Sequence, residues 1–248
     1  MPVFKNGLQM KVQLFIPCFV DQLYPSVGMN MAKILRKLGC KLTYNPAQTC
    51  CGQPAFNAGF WEDSKEVCQK FMADFEGDGY IVAPSASCIG FVRNYYQKLF
   101  QLPGELPMLK ALTARMFEFT EFMTGVLKVE DVGAAFEQTI TYHDSCAGLR
   151  ECGIKQEPRR LLANVRGLTL REMNDVETCC GFGGTFAVKF QAISSGMADQ
   201  KVDNALATGA TCIVSTDVSC LMHIDGYAKK AGKPIRCLHI ADVLAMGW

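Results

Sequence analysis

Eight of the thirteen cysteines fall into two sets of four with nearly the same spacing. Each set has a single cysteine, then an adjacent pair followed by glycine, then another single cysteine. The separations are 31 and 36 residues in the first set and 32 and 39 in the second. The duplicated spacing predicts two copies of one thiolate site. The first thiol set is Cys18, Cys50, Cys51 and Cys88, and the second thiol set is Cys146, Cys179, Cys180 and Cys220.

Thiolates are soft ligands that suit iron–sulfur clusters, zinc and copper(I). Structural zinc usually takes cysteines from closely spaced pairs of the C-x₂₋₄-C type, and neither set contains one. Adjacent cysteines reach two irons of a larger cluster more readily than one tetrahedral zinc ion. The glycine that follows each pair lets the backbone approach an inorganic core closely. The spacing therefore favours an iron–sulfur cluster in each set and leaves zinc open.

Two other interpretations use the same cysteines. Free cysteine is often a buried structural residue, but duplicated spacing over eight positions argues against that for these sets. A thiol–disulfide enzyme would instead use Cys179 and Cys180 directly, without any metal. The remaining cysteines have no counterpart in the other half, and we expect them to be ordinary buried residues: Cys40, Cys68, Cys152, Cys212 and Cys237.

Composition excludes several functions for this chain of 248 residues. The net charge of +1 provides no basic surface for nucleic acid. No apolar run approaches the length of a membrane span, and no signal-peptide pattern is present. We therefore expect a cytoplasmic protein, where thiols stay reduced and a disulfide framework is disfavoured.

Apolar patterns alternate between strand and helix in the same order in both halves. This alternation predicts an α/β fold of two similar, duplicated domains, each a mainly parallel sheet flanked by helices, over 10–128 and 138–248. Single cysteines and Cys-Cys-Gly segments follow strands, so each set should lie at the carboxyl edge of its sheet, where ligands bind in such folds. The predicted strands are 11–17, 41–44, 80–83, 139–143, 169–173 and 212–215, with helices at 27–38, 62–75, 87–100, 157–165 and 191–207. The segment Leu102-Pro103-Gly104 predicts a break after helix 87–100. A strand tip and a short helix are expected to close each half, over 116–123 and 237–244.

Several polar residues flank the cysteines. His143 and Asp144 precede Cys146, and each is either a ligand or proton donor near the site or a structural residue. Asp217 either caps the following helix or offers an oxygen ligand. Arg150 is a candidate to bind a carboxylate.

The segments Cys179-Cys180-Gly181-Phe182-Gly183-Gly184 and Asp217-Val218-Ser219-Cys220 resemble the cysteine-rich, Cys-Cys-Gly domain family of iron–sulfur oxidoreductase subunits. That family includes the cysteine-rich subunit of heterodisulfide reductase and the iron–sulfur subunit of glycolate oxidase. The resemblance covers 11–248 and is greatest to its lactate-utilization branch. In the heterodisulfide reductase relatives a fifth cysteine precedes the last one of each set, and here Ser85 and Asp217 occupy those positions.

The resemblance implies a subunit of a cytoplasmic complex that oxidises L-lactate, or a related 2-hydroxy acid, to pyruvate. It implies one iron–sulfur cluster per domain, of the [4Fe-4S] type, with zinc as the alternative for four thiolates. The implied partners are a ferredoxin-like iron–sulfur subunit and a third subunit, with the small 2-hydroxy acid as substrate. The alternative function is a zinc-binding scaffold that is not redox active.

Overall fold

The computed structural model describes residues 9–100, 102 and 104–247. Pro103, part of a predicted helix break, and Trp248, the predicted end of the second domain, lie outside the described residues. The described chain forms two four-stranded sheets in which every pairing is parallel, with strand orders β2-β1-β3-β4 and β6-β5-β7-β8. The two orders are the same pattern, so the predicted α/β fold with duplicated domains is confirmed.

The strands of the first sheet are β1 (Lys11–Leu14), β2 (Lys41–Tyr44), β3 (Tyr80–Ala83) and β4 (Met116–Glu118). Those of the second are β5 (Thr139–Tyr142), β6 (Thr169–Leu170), β7 (Cys212–Ser215) and β8 (Arg236–His239). The helices of the first half are α1 (Cys18–Leu23), α2 (Pro25–Lys37), α3 (Gln53–Ala58), α4 (Trp61–Asp74), α5 (Ala86–Leu99), α6 (Glu105–Thr113) and α7 (Phe119–Glu121), followed by a π-helical turn (Phe122–Val126). Those of the second half are α8 (Cys146–Arg150), α9 (Gln156–Ala163), α10 (Thr185–Lys189), α11 (Gln191–Ala207), α12 (Val218–Lys230) and α13 (Ile240–Leu244).

The structure corrects the sequence prediction at several elements. The strand predicted over 11–17 ends at Leu14, where its pairing with β2 ends. Strand β6 has two residues rather than the five predicted over 169–173, since its pairing with β5 ends at Arg171, whose N–H donates to the carbonyl of Ile140 at 2.9 Å.

The short helices α1, α3, α8 and α10 were not predicted. Helix α6 was not predicted, because Pro103 and Gly104 indicated a break and Pro107 obscured the periodicity that follows.

One hydrophobic core joins the two halves of the chain. Its buried side chains include Val12 and Met31 of the first half together with Ile140 and Leu244 of the second. Burying aliphatic side chains of this size contributes roughly 1.5–3 kcal/mol each. Because this packing crosses the middle of the chain, the domain ranges 10–128 and 138–248 stay a prediction.

Asp217 links the two halves at the carboxyl edges of both sheets. Its Oδ1 accepts from the backbone N–H of Ser219 at 3.2 Å, which caps α12. Its Oδ2 accepts from the backbone N–H of Ser87 at 2.8 Å, in the first turn of α5. The predicted capping role is therefore correct, and the same carboxylate also serves the equivalent helix of the other half. Ser85, the residue at the equivalent position, makes no side-chain cap of its own.

We predict that Asp217→Ala lowers the free energy of unfolding by about 2–3 kcal/mol, because two helix N-termini lose a charged acceptor. Urea unfolding of protein matched in metal content measures this. The control is Ser85→Ala, which should cost under about 1 kcal/mol. Equal effects of the two substitutions would contradict the double-capping role of Asp217.

Candidate metal centres

The four cysteines of the first thiol set meet at the carboxyl edge of the first sheet. Cys18 is the first residue of α1, shortly after β1, and its Sγ lies 4.0 Å from Sγ of Cys50. The Cys51 thiol lies next to those of Cys50 and Cys88, and interaction with both raises its pKa. Cys88 lies in the first turn of α5. The four thiols of the first set are thus grouped in one place.

The second thiol set repeats this arrangement. The thiol of Cys146 interacts with that of Cys179, Cys179 with Cys180, and Cys180 with Cys220, and these interactions shift the pKa values of the first three. The Sγ atoms of Cys180 and Cys220 lie within 4.8 Å of each other. Cys146 begins α8 and Cys220 lies in the first turn of α12. In each set the last two cysteines are buried and the first two are partly exposed. The structure therefore brings all eight sequence-predicted residues together in their two sets.

The glycine of each Cys-Cys-Gly turn has a backbone conformation that only glycine adopts readily. Gly52 has φ +91° and Gly181 has φ +92°. A Cβ on Gly181 would lie 2.7 Å from the backbone oxygen of Ser194, so the turn packs directly against α11. Each glycine also donates its N–H, at 3.4 Å, to Sγ of the first cysteine of the pair. The glycine thus allows close packing and directs a backbone donor at a sulfur.

A serine on the next long helix holds each of these turns. Ser64 Oγ donates to the carbonyl of Gly52 at 3.0 Å, and Ser194 Oγ donates to the carbonyl of Gly181 at 2.7 Å. Sequence reasoning missed both serines, although each follows its glycine at nearly the same distance, 12 and 13 residues. That repeated spacing was the signal that could have identified them.

Interactions within each set give its thiols different pKa values. Donation from neighbouring thiols lowers the pKa of Cys50 to about 3 and that of Cys179 to about 2. The same hydrogen bonds, with burial, raise the pKa of Cys18 and Cys146 above the usual range. Cys50 and Cys179 are thus the thiols of each set that lose a proton most readily. Binding a metal would displace protons from the other thiols, since thiolates are the ligating form.

The surroundings of the two sets differ. Phe15 and Phe71 lie beside the first set, with ring centroids 4.8 Å apart and both side chains fully buried. His143 and Lys201 lie beside the second set and are also buried. Lys201 donates to the carbonyl of Asp175 at 2.6 Å, and sequence reasoning did not identify it.

His143 is fully buried, and neither ring nitrogen has a hydrogen-bond partner. An unpaired buried polar group costs about 1–3 kcal/mol. Burial, and then the charge of Lys201, lowers the pKa of His143 to about 3, so the ring is neutral. One of its ring nitrogens and the Sγ atoms of Cys180 and Cys220 all lie within 4.8 Å of one another.

The neighbouring polar residues have distinct contacts. Asp144 forms a two-point ion pair with Arg159, with both N–O distances 2.9 Å, and Arg159 also contacts Glu172. Arg150 lines an open cleft of ≈ 550 Å³ that also exposes Cys179. Asp144 is therefore held by an arginine, while Arg150 shares the cleft with a thiol of the second set and with Asp175 and Glu177.

The other five cysteines lie outside the two thiol sets. Cys40 and Cys212 are buried in the core that joins the halves. Cys68 donates to the carbonyl of Cys51 at 3.5 Å, directly behind the first set. Cys152 donates to the carbonyl of Ala86 at 3.4 Å, across the two halves. Cys237 packs at the margin of the second half's core.

A family model described as a cysteine-rich domain, CCG, matches the chain twice, over residues 12–93 and 140–225. The two matches contain all eight cysteines of the thiol sets. The chain belongs to the CCG cysteine-rich domain family.

Curated relatives cover nearly the whole chain. Lactate utilization protein A of Exiguobacterium sp. is 45% identical over 238 residues, which is 95% of this chain and 97% of that protein. Lactate utilization protein A of Bacillus cytotoxicus is 43% identical over 235 residues, or 95% and 98% of the two chains. The family resemblance inferred from the Cys-Cys-Gly motifs is therefore confirmed.

A solved structure shares the fold of this CCG protein. The crystal structure of a hypothetical protein from Helicobacter pylori aligns with a TM-score of 0.63 over 98% of this chain at 11% identity. This chain spans half the length of that structure. No helix among the described residues has both the length and the apolar character needed to cross a membrane.

We predict that Gly181→Ala lowers the free energy of unfolding by about 2–4 kcal/mol and reduces metal retention by the second set, because α11 must move away. Chemical denaturation and metal content after gel filtration measure the two effects. Gly59→Ala is the matched control. Its backbone is also left-handed, with φ +90°, but no atom lies within 4 Å of the added Cβ. It should cost only about 1–2 kcal/mol and retain metal.

Proposed function

We propose that this protein is the iron–sulfur redox subunit of a cytoplasmic complex that oxidises L-lactate, or a related 2-hydroxy acid, to pyruvate. The observation that carries the proposal is the assembly of eight cysteines into two sets at the carboxyl edges of two duplicated sheets. The names of the curated relatives, lactate utilization protein A, support the substrate class. We propose a ferredoxin-like iron–sulfur protein and a third subunit as partners.

The donor chemistry of both sets fits an iron–sulfur cluster. Each offers four soft sulfur ligands together with a glycine N–H already directed at a sulfur. When bound, such a cluster would accept and release single electrons. Cys18, Cys50, Cys51 and Cys88 would hold one cluster, and Cys146, Cys179, Cys180 and Cys220 the other.

The residues around the sets have separate tasks in this proposal. The buried cysteines exclude water from one side of each cluster, and the partly exposed ones leave the other side open for electron exchange. The cleft at Cys179 gives a small carboxylate access to the second set, with Arg150 as its cationic contact.

Zinc is the second candidate, and one distance favours it. The Sγ atoms of Cys18 and Cys50 are 4.0 Å apart. Two thiolates on one tetrahedral zinc ion lie roughly 3.8 Å apart, given Zn–S bonds of about 2.3 Å. On this alternative the protein is a zinc-binding scaffold without redox activity.

Metal analysis of anaerobically purified protein distinguishes these functions. We expect about eight irons per chain with matching acid-labile sulfide and a visible charge-transfer band, as for two four-iron clusters. Zinc without iron, unchanged after reconstitution with iron and sulfide, would reject the redox proposal.

We predict that Cys51→Ser and Cys180→Ser each reduce the bound iron by about half, because each removes a ligand from only one of two clusters. Iron and sulfide assays on matched preparations test this. Cys237→Ala, outside both sets, should leave the iron content unchanged. Loss of all iron in either single variant would contradict two independent sites.

A further inference from the structure

The two thiol sets are equivalent in their sulfurs, yet the residue that follows the first strand of each sheet differs. Phe15 follows β1 and donates its backbone N–H to the carbonyl of Val82 at 3.0 Å. His143 follows β5 and donates its backbone N–H to the carbonyl of Val214 at 2.8 Å. The two residues therefore occupy the same position in their sheets. An aromatic hydrocarbon at one site is an imidazole at the other.

At a second pair of equivalent positions, the first half again has an aromatic hydrocarbon side chain and the second half a side chain with a polar nitrogen. Ser64 and Ser194 make the same hydrogen bond to their glycine carbonyls, which aligns α4 with α11. Seven residues later, α4 has Phe71 and α11 has Lys201. The first set is thus bordered by two packed rings, and the second by an imidazole and an ammonium group.

The imidazole of His143 has no structural task that accounts for its polarity. Both of its nitrogens are buried without a hydrogen-bond partner. The other two histidines use a ring nitrogen: His223 contacts Ser194 Oγ at 3.1 Å, and His239 accepts from the N–H of Ala241 at 3.1 Å. A purely structural role would be served as well by phenylalanine, as at position 15.

The unpaired nitrogens lie next to sulfurs of the second set. A ring nitrogen of His143 and the Sγ atoms of Cys180 and Cys220 lie within 4.8 Å of one another, and all three residues are buried. Neutral imidazole is a good ligand for both iron and zinc. The backbone on either side is fixed, because Ser215 Oγ also donates to the carbonyl of His143 at 2.9 Å.

We propose that His143 is a nitrogen ligand of the metal centre at the second thiol set. The second site is then a mixed cysteine–histidine site, whereas the first is held by thiolates alone. This inference rests on the proposed function to the extent that a metal centre occupies the second set. A neutral imidazole beside the four thiolates adds no negative charge, whereas a fifth thiolate would, and a less negative centre has a higher reduction potential.

Pulsed electron paramagnetic resonance of the full-length, anaerobically prepared protein tests the ligand directly. The Cys51→Ser background removes the first centre, and histidine is labelled with ¹⁵N. In reduced, iron-loaded protein we expect the strong nitrogen coupling of a directly bound imidazole. His143→Phe, which installs the residue found at the equivalent first-set position, should abolish the coupling. His223→Gln is the matched control and should retain it.

Each result decides between the alternatives. An iron centre without strong nitrogen coupling overturns the ligand proposal and leaves the proposed function standing. If the protein holds zinc and no iron, the proposed function fails, and X-ray absorption at the zinc edge still decides whether one imidazole is bound. If His143→Phe does not fold, His143→Ala with added imidazole replaces it, and coupling should appear only with imidazole present. A second set that retains no metal overturns both proposals.

Discussion

Each candidate centre depends on the contact between the Cys-Cys-Gly glycine and the helix that follows it. The serine hydroxyl on that helix donates to the glycine carbonyl. The positive φ of the glycine disfavours any side chain, and neighbouring atoms occupy the space that a Cβ would need. This contact orients two adjacent cysteines from one short turn. The other two cysteines come from the starts of helices that follow strands. Parallel strands end at the same edge, so the sheet brings these separate contributions together.

The two thiol sets have the same arrangement of cysteines, but the residues around them differ. Packed rings at Phe15 and Phe71 give the first set an apolar border, which disfavours added negative charge. Lys201 places a buried cation next to the second set, where added negative charge is stabilised. Equivalent thiols in unequal surroundings would give two metal centres in one chain different reduction potentials. The difference lies in residues that the Cys-Cys-Gly motif does not include.

The sequence was most informative where a pattern is local. Strands 41–44, 80–83 and 212–215 and helix 191–207 were predicted with the bounds that the structure shows, because each is a short apolar run or a long periodic segment with clear ends. Cysteine spacing likewise identified both thiol sets. Helix α6 was missed because prolines interrupt its signal, and Ser64, Ser194 and Lys201 were missed because their contacts arise only when helices pack on turns. His143 was noticed, but sequence does not show whether a ring nitrogen has a partner.

Asp217 shows why the two halves cannot be fully equivalent. Helices α5 and α12 both direct their N-termini toward its carboxylate, and each bears the last cysteine of its thiol set. One carboxylate satisfies both helix ends, so a second at Ser85 would place two like charges between the same N-termini. The serine at one position and the aspartate at the other are therefore a matched pair. Because this contact ties the helices that bear Cys88 and Cys220, it also fixes the distance between the two thiol sets, on which electron exchange between them would depend.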